Sequence, residues 1–108
     1  MKSTITVYLQ DDFFAFKISA ENWELNIKSI PKEEIELLEK IQETNWAERK
    51  TIQVGLAVNA KVFWCFTAPD IISILVGQDD ETWDMGVNIS LEEFKELLLK
   101  SKKITKTK

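Results

Sequence analysis

Carboxylates are the only abundant reactive side chains in this chain: 18 Asp and Glu stand against 14 Lys and Arg, with no histidine at all. The missing imidazole removes Ser-His-Asp and Cys-His catalysis, the commonest general base, and most zinc sites. The single thiol, Cys65, lies between Trp64 and Phe66 in an apolar run with no cation close in sequence, so a buried, inert cysteine is expected. The three glycines, Gly55, Gly77 and Gly86, are isolated and offer no phosphate-cradling loop. Non-catalytic chemistry is therefore expected, with no cofactor.

The densest acidic set is Asp79, Asp80, Glu81 and Asp84, and Asp11-Asp12 is a second acidic turn. Oxygen ligands of this kind suit a hard cation, but the spacing lacks the alternating acids and central glycine of an EF-hand loop. The expectation is no metal, leaving a solvated turn or an acidic protein-binding patch. Residues 100–108 contain five lysines and no acid, so residues 1–99 hold nine basic against eighteen acidic residues, a net charge of −9. Such a body repels nucleic acid and anionic membrane and attracts basic proteins.

Tryptophan is the other conspicuous type, with four in 108 residues. Trp64 is predicted buried. Trp23 and Trp83 fall in phase with apolar strand positions and so read first as core. Trp46 sits in the polar connector TNWAERK, either folded back over a helix end or exposed as an anchor. Partner-binding candidates are thus Asp11, Asp12, Trp46, Asp79, Asp80, Glu81, Trp83 and Asp84, since tight interfaces join an aromatic anchor to surrounding charge.

The elements that position these residues follow from hydrophobic period. Strands are predicted near 3–9, 13–18, 23–28, 52–58 (Ile52, Val54, Leu56 and Val58 in strict alternation), 62–66, 71–76 and 83–89, with a short helix after Pro69 as the alternative to the sixth. Helices are predicted over 31–44, opening on Pro31, and over 91–101. Ser90 and Glu93 form a capping box for the second helix, with Ile89 and Phe94 as its staple. This is an α+β class with a mostly antiparallel sheet of six to seven strands and two helices. One domain is expected over 1–101, with 102–108 as a basic flexible tail. ENWELNIKSIPKEEIELLEK can be laid over ETWDMGVNISLEEFKELLLK with one residue gapped, which duplication or convergence would both explain. Phe13, Phe63, Cys65, Ile71 and Leu75 occupy the face opposite Phe14, Val62, Trp64, Ile72 and Ile74. That second apolar face needs a cover, whether the sheet itself, a second copy or a partner.

No apolar run approaches membrane-spanning length, the start MKSTITVYLQ lacks a signal-like stretch, and one cysteine forms no internal disulfide, so a cytoplasmic setting is expected. In size, acidity, tryptophan content and lack of catalytic groups the chain resembles the small immunity proteins of bacterial toxin systems, those of contact-dependent growth inhibition above all. The resemblance implies tight binding to a cognate toxin domain, often a nuclease, with acidic residues meeting its basic groups. A dimeric, secretion-chaperone-like protein binding an apolar segment is the alternative.

Overall fold

Alternating apolar residues drive seven strands, and two amphipathic stretches drive the helices that cover them. The computed structural model describes residues 3–43, 46–48, 50–79 and 83–106. Strands β1 (Thr4–Gln10), β2 (Phe13–Ala20) and β3 (Trp23–Ile30) lead into helix α1 (Lys32–Ile41). A single 3-10 turn, Trp46–Glu48, precedes β4 (Thr51–Ala57), β5 (Ala60–Ala68), β6 (Ile71–Gly77) and β7 (Trp83–Ser90). Helix α2 (Leu91–Lys106) follows directly. The strands pair in chain order, all antiparallel, as one seven-stranded meander. The chain is an α+β fold.

One face of the sheet holds the core. Phe16, Ile18, Ile27, Val62, Trp64, Ile72 and Ile74 are fully buried there beneath Leu38 and Ile41 of α1 and Phe94 and Leu97 of α2. Trp64 is the centre: Phe16 meets its ring edge-on at 6.1 Å, Phe94 tilts against it at 5.9 Å, and its indole N–H donates to the Val54 carbonyl at 3.0 Å. A buried indole so satisfied costs little for its polar atom. Helix α2 packs along β1 and also touches β6 and β7, so the first and last strands both reach the same helix.

Both helix starts are built as local chemistry dictates, with one shift. Pro31 is the N-cap itself, in extended backbone with no side-chain cap, and the helix begins at Lys32. Helix α1 also closes earlier than its sequence period suggests, because Gln42 and Glu43 bond back three residues, to Glu39 and Lys40. Helix α2 runs on to Lys106, five residues past the predicted end. Ile104 packs against the core and Lys102 pairs with Glu39 of α1 at 3.3 Å, so most of the expected tail is helix with a reason to be one.

Four register shifts interrupt the pairing, one of them at Thr67 in β5, and the other three bear on which side chains face inwards. In β3 the partners of Phe14 and Phe16 are Ile30 and Ile27, so Lys28-Ser29 occupy one position and Ser29 takes φ 60°. In β4 the register shifts between Gln53 and Leu56, with Gly55 at φ 84°. In β7 it shifts at Asp84, since Met85 faces Val76 while Trp83 faces Gly77. The bulges in β3 and β4 flank the sheet's weakest seam, where the two strands share one residue pair, Lys28 with Leu56. The β3 bulge also accounts for the gap between the two similar segments. Leu25, Ile27 and Ile30 match Met85, Val87 and Ile89 in role once the bulge residue is passed over.

Candidate binding surface

The outer face of the sheet, turned away from the helices, differs sharply between its two halves. On β1–β3 it is mainly hydrophilic, with Phe13, 45% exposed, at the start of β2. Lys17 and Glu24 pair at 3.5 Å, and the Asn26 amide donates to Glu24 at 3.0 Å. The Asn26 hydrogen bond, with Lys17 beside it, holds the Glu24 carboxyl below its ordinary range.

On β5–β7 the outer face is apolar. Phe63, Leu75 and Gly86 lie in one row across the three strands, with Trp83 next along β7. Gly86 has no side chain, and the space is taken by its neighbours. A methyl group there would lie 3.0 Å from Leu75 Cδ2 and 3.0 Å from Trp83 Cζ3. The indole thus lies across Gly86 against Leu75, with 48% of the residue exposed. The adjoining row is polar and internally satisfied. The Thr67 and Ser73 hydroxyls lie 2.9 Å apart, and Ser73 donates to Asn88 Oδ1 at 2.7 Å. Cys65, in the same row, is buried.

The predicted core position of Trp83 is therefore overturned. In sequence it is in phase with Met85, Val87 and Ile89, but the bulge at Asp84 inserts one residue and turns Trp83 to the outer face. Trp23, read the same way, is half-buried and packs against the core. Leu56 and Val58 undergo the same inversion in β4. Past Gly55 it is Ala57 that faces inwards, leaving Leu56 exposed and Val58 98% exposed at the hairpin tip.

Among the acidic candidates, Asp11, Asp12, Asp79 and Asp84 are exposed. Asp11-Asp12 is a two-residue hairpin with φ 53° and 72°, a left-handed turn that Asp tolerates better than most residues. Strand alternation sets this turn at the opposite end of the strands from Asp79 and Asp84, so the two acidic turns do not share one end of the sheet. Asp80 and Glu81 lie outside the described residues, as does the side chain of Trp46, whose backbone turn packs on β5. Among the described residues no three Asp, Glu or Cys side chains converge as a metal-binding group. No helix of the described chain is long and apolar enough to cross a membrane.

Phe63, Leu75 and Gly86 were not among the sequence-predicted site residues. Their signal was the run that is apolar on both faces at Val62–Phe66 and Ile71–Val76, which marks a second surface without saying where it lies.

No family model, curated protein or solved structure matches this chain. The fold and this surface therefore carry the functional argument by themselves.

Proposed function

We propose that this chain is a non-catalytic binding protein that captures a basic protein partner on the outer face of β5–β7, and that it acts as an immunity protein against a toxin domain in the cytoplasm. One observation carries the reading. Trp83 is a large aromatic that the bulge at Asp84 turns out of the core and lays half-open beside Leu75, with the exposed Asp84 next to it in sequence and the exposed Asp79 just past the end of β6. An aromatic anchor within a charged rim is the usual composition of a tight interface. Acids at the rim would speed encounter with a cationic surface and make it salt-sensitive. The body charge of −9 supports a basic partner over nucleic acid or anionic lipid.

The test is survival of cells that co-express this chain with the toxin domain encoded beside it. Wild type should protect. Trp83→Ala should bind with an affinity weaker by about 2 kcal/mol or more, mainly through faster dissociation. A combined Asp79, Asp80 and Asp84→Asn variant should fold normally, associate more slowly and protect less. Full protection by both variants, with unchanged rates, sinks this surface as the interface. A stable dimer with no toxin gene adjacent turns the reading to the chaperone-like alternative.

A further inference from the structure

The two edges of the sheet are finished differently. Leu91 donates its N–H to the Asp70 carbonyl at 2.8 Å, extending the ladder in which Ile72 faces Ile89 and Ile74 faces Val87. Hydrogen bonding alternates residue by residue along an antiparallel pair. Met85, Val87 and Ile89 are therefore bonded to β6, while Gly86 and Asn88 turn N–H and C=O away from it. Ser90 obeys the same alternation, since its N–H goes outwards to Glu93.

On β1 two of the outward groups are taken. Glu93 accepts the Ser3 N–H, and the Lys100 ammonium donates to the Ile5 carbonyl. Helix α2 thus occupies the start of that edge with its own side chains. On β7, Gly86 and Asn88 are exposed, and from Trp83 to Ile89 the strand pairs with β6 alone among the described residues. Open edges are ordinarily guarded by lysine, proline or a covering segment. This strand, WDMGVNIS, has neither residue, and its bulge at Asp84 lies short of Gly86 and Asn88. Charge indicates what would pair with it. Residues 69–94, which build β6, β7 and the start of α2, contain seven acids and no lysine or arginine, and β5 adds one lysine, Lys61.

We propose that β7 accepts an extended, lysine- or arginine-bearing segment of a partner protein as an eighth strand, its main chain paired with Gly86 and Asn88. The proposal rests on the chain being a binder of a basic protein, and it specifies the mode. Strand addition takes affinity from main-chain bonds and selectivity from flanking side chains. Here Trp83 would flank the strand on the outer face. A second copy of the chain would set the same acidic quarter against itself, which costs rather than stabilises.

The test is amide hydrogen exchange on the full chain, with a synthetic peptide of alternating lysine and valine as the probe. In the free protein, Gly86 and Asn88 should exchange fast while Val87 and Ile89 are slow. The peptide should slow Gly86 and Asn88 by about tenfold or more, whereas a glutamate–valine peptide should not. Asn88→Pro removes the outward donor and the acceptor of the Ser73 hydroxyl but spares the main-chain ladder to β6, so it should abolish the effect. Should that variant fail to fold, Asn88→Lys sets a like charge on the edge and should weaken the probe severalfold. Unchanged exchange at these two amides overturns the proposal, as does their protection in a free chain that sediments as a dimer. In the survival assay, equal protection by wild type and Asn88→Pro would remove this edge as the mode and leave the binding role standing. Slowed exchange with no cell protection would do the reverse.

Discussion

Glu93 binds Ser3 across the whole length of the chain: its Oε2 accepts the Ser3 N–H at 2.5 Å while its Oε1 accepts the Ser90 N–H at 2.8 Å. One carboxylate therefore ties the start of β1 to the end of β7. It is 7% exposed. Burial by itself would raise this carboxyl's pKa, but the N–H groups of Ser90 and Ser3 outweigh it and hold the group below its ordinary range.

The first prediction follows from that balance. A carboxyl whose pKa is lower in the folded than in the unfolded chain stabilises the fold above its unfolded value, and the gain is lost as pH falls through the folded value. Thermal melts should therefore show stability declining below about pH 4.5, near the model-peptide value for Glu. Glu93→Gln should be less stable at neutral pH by about 1–3 kcal/mol, because one bonded N–H loses its acceptor. Its melting temperature should also fall less on acidification. A wild-type and Glu93→Gln pair with parallel pH profiles would show that the link contributes nothing.

Ser90 supplies the other half of the cap, accepting the Glu93 N–H at 3.1 Å. Ser90→Ala should cost about 1 kcal/mol in urea unfolding with an unchanged m-value. Because Glu93 is shared, the double variant with Glu93→Gln should cost less than the two singles together.

Gly55 is the least replaceable glycine. At φ 84° a side chain is strained, and a Cβ would sit 2.5 Å from Ile27 Cγ2 and 3.0 Å from Ile30 Cγ1. Gly55→Ala should destabilise by about 2 kcal/mol or more, from backbone strain and a clash within the core. Denaturant curves for Gly55→Ala that overlay wild type would contradict the bulge described here.

Val58 offers the opposite case. It is β-branched, 98% exposed, and held at φ 49° in the two-residue turn with Asn59 at φ 67°. Such turns favour Asn, Asp or Gly, and β-branched residues resist positive φ. Val58→Asn should stabilise by about 1 kcal/mol, seen as a higher melting temperature.

Element type was legible wherever one local signal sufficed. The Ser90–Glu93 box located the start of α2, and the alternation in β1 and β6 needed no correction. Facing was lost at bulges, because a strand's side-chain period is two and a single inserted residue inverts everything beyond it. Trp83, Leu56 and Val58 were all misread for this one reason. Gly55 could have warned of it, as an isolated glycine inside a strict alternation. Nothing in WDMGVNIS announces the bulge at Asp84, which depends on pairing with Val76 and Gly77. The extension of α2 depended on Glu39 and the core meeting Lys102 and Ile104, contacts between distant parts of the chain.

The hold of α2 on the start of β1 limits how an assembly can grow. Propagating a sheet from molecule to molecule requires two complementary edges, one to receive and one to be received. Among the described residues the start of β1 is occupied at Ser3 and Ile5, while Gly86 and Asn88 of β7 face outwards. An addition at β7 therefore does not continue through Ser3 and Ile5 of the same molecule. Cross-β filament growth from the native state would first require Glu93 and Lys100 to release Ser3 and Ile5.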